Sequence, residues 1–228
     1  MNCSCCDTID AHFGEELARE DLERYRSKGP DTTTSAILDL LRSTGAANEE
    51  ATLLDIGSGI GIIPIELLGD RLKRATLVDA SSSYLSAAEE SAERSGLRNR
   101  IELVHGDFTE LSEQLPEADL VTLDRVVCCY PDYKRLLVRS ATKAKRWYAL
   151  SYPRGRWYIR LGIALENLIR RLRRNPFRTY VHDPDAIHAL LVDAGLDRQR
   201  QELSFIWRTD LYRRIDGRGD TNDWGRSG

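Results

Sequence analysis

The sequence predicts an α/β domain in which parallel strands are joined by helical crossovers, and three observations predict it. Five short apolar runs, each bounded by turn residues, recur between residues 51 and 150. Segments of helical periodicity lie between them. A glycine-rich turn sits where the first run gives way to the first helix.

In chain order, Phe13, Leu17, Leu22 and Tyr25 are apolar among charges and predict a helix. Gly29-Pro30 breaks it, and a second helix runs from about Thr33 to Leu41. Residues 1–45 thus read as a helical extension, and residues 46–216 as the main domain. Ala51 to Ile56 is a strand and Ile60 to Leu68 a helix. Ala75 to Val78 is a strand and Tyr84 to Ala92 a helix, with Ser81 to Ser83 offering its N-cap. Strands follow at Ile101 to Val104, Leu120 to Leu123 and Trp147 to Leu150, with a helix at Tyr133 to Ala144. A long basic helix (156–174) and a shorter one (184–194) precede two strand-like pieces, about 199–206 and 208–215, spaced for a hairpin. Residues 217–228 are rich in Gly, Asp, Arg and Ser and read as a disordered tail.

Composition narrows the class. Across 228 residues, 41% hydrophobic content builds a core and 30% charge keeps it soluble. Met1 to Asp10 lacks the basic-then-apolar order of a secretory leader. No apolar run approaches the roughly 18–20 residues that span a bilayer. The expectation is a cytoplasmic protein. The five cysteines, Cys3, Cys5, Cys6, Cys128 and Cys129, suit reduced thiols better than a disulfide framework. Those of the extension and those near 128 could also converge on a soft metal or thiophilic substrate, although their spacing fits no structural zinc pattern. The net charge of -3 hides an asymmetry: Lys134 to Arg178 holds 14 Lys or Arg and one acid, Glu166. That field suits an anionic partner or a solvated helix face.

The run Leu53-Leu54-Asp55-Ile56-Gly57-Ser58-Gly59-Ile60-Gly61 is the strongest signal. Its glycines admit a ligand close to the backbone, and the helix that follows offers free N–H groups to a negative group. Ile62 stands where a dinucleotide fingerprint needs glycine, and Asp55 would repel a pyrophosphate but face an ammonium. Asp79, with Ala80 after it, ends the second strand, where a carboxylate accepts from ribose hydroxyls. Asp107 follows the third strand, placed for an adenine amino group, with Phe108 packing on the ring. One ligand that joins an amino acid, a ribose and an adenine satisfies all three strand ends in order.

This set resembles the class I S-adenosylmethionine-dependent methyltransferases over about residues 50–215. The resemblance implies a Rossmann-like, seven-stranded, mostly parallel sheet with helices on both faces and a C-terminal antiparallel hairpin. It implies S-adenosyl-L-methionine as cofactor, held by Asp55, Gly57, Ser58, Gly59, Asp79, Ala80, Asp107 and Phe108, with Asp124 of the fourth strand beside the sulfonium. Ala149-Leu150-Ser151-Tyr152-Pro153-Arg154 and the basic helix after it also resemble, at a distance, the magnesium-protoporphyrin O-methyltransferases; Ser58 departs from the cysteine usual there.

In-line methyl transfer asks chiefly for alignment and exclusion of water. A base is needed only when the nucleophile must lose a proton, and His12, Tyr130 and Tyr152 are its candidates. Arg125 can fork onto a substrate carboxylate or pair with Asp124 or Asp132. His105 reads as structural, and His182 and His188 as surface or packing residues. Residues 24–34 are expected to form a lid, with Tyr25 over the methionine portion. Arg154 and Arg156, nearest the fifth strand, are expected to touch a small anionic acceptor, while Arg170 and Arg173 act at a distance. RNA methylation is a second reading, against which the chain shows no separate RNA-binding domain and no Asn-Pro-Pro-aromatic run. A third is a non-catalytic cofactor-binding or membrane-surface protein, the latter from Leu161, Leu165, Leu168 and Leu172 at helical spacing.

Overall fold

The computed structural model describes residue 10 and residues 12–215. Cys3, Cys5, Cys6 and the tail 217–228 lie outside the described residues. Seven strands, β1 (Thr52–Ile56), β2 (Arg74–Asp79), β3 (Ile101–His105), β4 (Ala118–Asp124), β5 (Ala144–Pro153), β6 (Leu196–Leu203) and β7 (Trp207–Arg214), form one sheet in the order β3-β2-β1-β4-β5-β7-β6. β1 to β5 are parallel; β7 runs antiparallel to both β5 and β6. The expected fold class therefore stands.

The helices are α1 (Glu15–Lys28), α2 (Thr32–Ser43), α3 (Ile62–Asp70), α4 (Ser82–Arg94), the single turn α5 (Phe108–Leu111), α6 (Tyr133–Lys143), α7 (Trp157–Leu172) and α8 (Pro184–Asp193). One core holds Ile37, Leu38 and Leu41 of α2, Leu67 of α3 and Ala88 of α4 against one face of the sheet. The other holds Leu136 and Leu137 of α6 with Ile187 and Leu191 of α8 against the opposite face. Both faces are covered, so the central strands are near-continuous apolar runs such as Leu53-Leu54 and Leu120-Val121. β6 is the exception: Asp197 to Glu202 is almost wholly charged or amide, which guards an exposed edge.

The largest departures from the expected boundaries are in β5 and β6. β5 extends from Ala144 to Pro153 because it pairs with β4 on one side and β7 on the other. β6 begins at Leu196, ahead of residue 199, because its ladder with β7 absorbs an irregularity between Arg198 and Arg200. The N-terminal punctuation works as read. Gly29, at φ 76°, ends α1, and the Asp31 carboxylate accepts from the N–H groups of Thr33 and Thr34 to open α2.

The chain order reverses between β1 and β4, which opens a crevice beyond their carboxyl ends. α1 lies across it: Ala18 and Leu22 bury against Ile60 and Tyr84.

Candidate active site

A cavity of about 570 Å³ fills that crevice, a volume in the range of small-molecule sites. The glycine turn forms its floor. Gly57, Gly59 and Gly61 have φ of 63°, 55° and 75°, which side chains other than glycine's rarely adopt. The turn is held down by the N–H of Gly57, which donates to Val78 O at 2.7 Å. A Cβ at Gly57 would stand 2.4 Å from Val126 Cγ2, so the close approach leaves no room for any other residue. The Ser58 hydroxyl points into this floor, buried and with no hydrogen-bond partner. An orphaned buried hydroxyl just ahead of the N-terminus of α3 fits the carboxylate of an amino-acid ligand.

The strand-end carboxylates surround that floor. Asp55 is buried at 2% exposure and accepts from Thr122 Oγ1. Burial pushes its carboxyl up to about 8, and the nearby Asp124 and Asp79 add to the rise. Asp79 accepts from the N–H groups of Gly59 and Ser81, both at 2.8 Å; burial raises its carboxyl and these donors oppose the rise. Asp55, Gly57, Ser58, Gly59, Asp79, Ala80, Phe108 and Asp124 all line the cavity. Asp107 stands just behind the lining. Its carboxylate caps α5 through the N–H of Thr109 and accepts the Tyr130 hydroxyl, so Tyr130 rather than Asp107 faces the space.

The base candidates separate. Tyr152 is 1% exposed, and its hydroxyl donates to Asp210 at 2.6 Å; burial and that carboxylate hold it protonated away from the cavity. His12 lines the cavity, stacked on Phe177 at 4.1 Å. Burial first, then Arg170, lowers its pKa, which keeps the ring neutral. Arg125 also lines it, in left-handed backbone at φ 60°. Its guanidinium reaches Asp31 at 2.6 Å and approaches Asp124 at 3.8 Å, and not Asp132, so it ties the N-terminal segment to β4. Thr34 adds a second tie to Asp124 at 2.6 Å.

Tyr25 is placed differently from the expected lid. Its hydroxyl donates to Glu66 at 2.8 Å, outside the lining, because the apolar side of α1 turns onto α4. Phe13, Asp21 and Arg24 of the same segment line the cavity instead, and Tyr84 donates to Asp21 at 2.5 Å.

The basic segment reverses the expected order. Arg154 and Arg156 turn away to a second cleft with Arg160, Asp183 and Asp185. Arg170 reaches the main cavity, because α7 runs across the mouth and presents Ile163, Glu166 and Arg170 inward. Arg170 is fixed by Glu166 at 2.6 Å and Thr179 at 2.7 Å, and lies 5.1 Å above the Phe177 ring. Asn167 clamps Thr179 by donating to its carbonyl and accepting from its N–H. Phe177, Thr179, Ile206 and Trp207 complete this wall. None carries a motif; the only sequence hint was the polar and aromatic run Asn175-Pro176-Phe177-Arg178-Thr179 after a basic helix.

Cys128 and Cys129 also face the cavity, with their sulfurs 3.9 Å apart. The thiol contact holds Cys128 up and Cys129 down, and Arg125 favours both thiolates. Among the described residues no group of three or more His, Cys, Asp or Glu is arranged for a metal ion. His182 Nε2 donates to the Val127 and Tyr130 carbonyls, at 3.1 and 3.0 Å, which positions this loop.

Residues 53–145 match a family model described as a methyltransferase domain. The chain is 26% identical over 94 residues to a probable cobalt-precorrin-6B C(15)-methyltransferase (decarboxylating) of Methanothermobacter thermautotrophicus, 41% of this chain and 48% of that one. It is 28% identical over 103 residues to the ribosomal protein L11 methyltransferase of Sorangium cellulosum, 45% of this chain and 32% of that one. The chain thus spans less than half the length of these curated relatives. In structure it is similar to magnesium protoporphyrin IX methyltransferase from Synechocystis PCC 6803, solved with bound SAH, at TM-score 0.72 and 17% identity over 92% of this chain and 99% of that one.

Proposed function

We propose that the chain is a class I methyltransferase that transfers a methyl group from S-adenosyl-L-methionine to a small acceptor with an apolar body and an anionic group. The observation that carries the reading is the floor of the cavity: an orphaned Ser58 hydroxyl between strand-end carboxylates, on a turn that only glycine can make. When bound, the cofactor supplies a methyl carbon already activated by a sulfonium. The protein's own residues do the rest. Asp55 accepts from the ligand ammonium, Ser58 and the N-terminus of α3 hold its carboxylate, and Asp79 takes the ribose hydroxyls.

The acceptor lies against Phe177, Ile206 and Trp207, with its anion toward Arg170. Phe13 and α1 close over the top and exclude water. A carboxylate acceptor needs no base; for a hydroxyl or amine, neutral His12 and Tyr130 are the groups within the cavity. Calorimetry tests the reading. S-adenosylhomocysteine binds the purified chain and NAD does not; equal binding of both, or of neither, overturns it. Incubation with methyl-labelled cofactor and cell extract then identifies the acceptor by mass.

A further inference from the structure

α7 has two faces, and only the inner one is used by the cavity. On the outer face Trp157, Leu161, Leu165, Leu168 and Leu172 are 75%, 64%, 57%, 50% and 76% exposed. At about 100° per residue these five fall within an arc of about 80°, a single stripe along a helix about 24 Å long. The turn between β6 and β7 extends the stripe sideways. Phe205, 75% exposed, stacks on Tyr158 with ring centroids 5.5 Å apart, beside Leu203 at 54%. The turn is rigid: Arg154 donates through its backbone N–H to Ile206 O and through its guanidinium to Ser204 O, both at 2.8 Å. A contiguous apolar surface of this size has a cost in water and marks an interaction site.

Its rim identifies the occupant. Arg156, Arg160, Arg171, Arg173 and Arg174 are all exposed around the stripe. The sole acid of α7, Glu166, is spent on Arg170. Pairing with a second copy would set these arginines against their own kind. Large apolar side chains on one face, an aromatic at one end and an excess of exposed arginines beside them suit the headgroup layer of an anionic bilayer. No helix among the described residues is long and apolar enough to cross a membrane, so this contact lies on the surface rather than through it.

We propose that the outer face of α7 and the β6–β7 turn form a docking surface for anionic membranes. The cavity then sits one helix thickness from the lipid, about 10 Å. The docking does not depend on methyl transfer, and its test reads binding alone.

The full chain is sedimented with vesicles of phosphatidylglycerol and phosphatidylcholine, and with phosphatidylcholine alone. Partition into the anionic vesicles is expected, with a blue shift of tryptophan emission that Trp157→Ser diminishes. Trp157→Ser with Phe205→Ser should cut the partition coefficient by about tenfold or more, and each of Arg171→Glu and Arg174→Glu by about fivefold or more. Raising the salt should weaken binding in the same sense. These side chains are exposed, so circular dichroism of every variant should match the parent. Two results would overturn the proposal. One is the absence of partition into anionic vesicles by the well-folded parent. The other is a dimer in sedimentation velocity that Trp157→Ser dissolves, which would assign the stripe to self-association.

Discussion

The two halves of the cavity are built by different means. The half proposed for the cofactor is made largely of backbone: turns at the ends of β1 and β2, three glycines at positive φ, and carboxylates at or within two residues of a strand end. The acceptor half is made of side chains from segments far apart in sequence: His12 and Phe13, Glu166 and Arg170, Phe177 and Thr179, Ile206 and Trp207. Backbone construction fixes residue type tightly, whereas side-chain construction fixes only shape and charge. One half is therefore suited to a constant ligand and the other to a variable one.

Phe177→Ala should have the largest effect and draws the boundary between the halves. The ring is 5% exposed and packs on His12, Phe13 and Arg170, so its loss should cost about 3–5 kcal/mol of stability. Affinity for S-adenosylhomocysteine should stay within about twofold, as for independent sites. Urea unfolding and calorimetry check both, and a parallel fall would mean that the halves act as one unit.

Gly57→Ala probes the backbone half. A left-handed alanine and a 2.4 Å clash with Val126 should together cost about 2–5 kcal/mol of stability. Unlike the Phe177 variant, any folded fraction should bind S-adenosylhomocysteine poorly. Asp79→Ala should weaken that ligand by about 1.5–3 kcal/mol, as expected for hydrogen bonds to a charged group. Unchanged calorimetric affinity in the folded variant would remove the ribose assignment.

These contrasts explain what the sequence made legible. Gly57, Asp79 and the strand-helix alternation around them obey local rules, so pattern alone located the sheet, its hairpin and the residues proposed to hold the cofactor. Arg170 obeys none. Its place in the cavity comes from the direction in which α7 crosses the mouth, a tertiary fact, and spacing from β5 pointed to Arg154 and Arg156 instead. Tyr25 failed to reach the cavity for the same reason: the face of α1 that turns inward is set by packing on Tyr84 and Ile60.

A smaller effect concerns pH. Buried Asp55, raised to about 8, must ionise to accept from a ligand ammonium. Affinity for S-adenosylhomocysteine should therefore climb with pH up to about 8, by at most about tenfold per unit, and Asp55→Asn should flatten the climb. Because the folded pKa lies above the unfolded one, stability from this group should fall as pH rises from the ordinary carboxylate range to about 8. A pH series of calorimetry and thermal melts checks the opposite slopes. The smallest effect belongs to the acceptor half: Glu166→Gln removes an exposed i,i+4 pair and should cost only about 0.3–0.5 kcal/mol in thermal unfolding.

Asp124 belongs to two systems at once. It lines the cavity, yet it also accepts from Thr34 and lies beside the Arg125 guanidinium that grips Asp31. A ligand that strengthens this carboxylate's present geometry must, by reciprocity of free energies, lower the equilibrium constant for opening residues 31–34 by the same factor as their closure tightens the ligand. Amide hydrogen exchange at the start of α2 thus becomes a gauge of what binds in the cavity, on the far side of a single side chain.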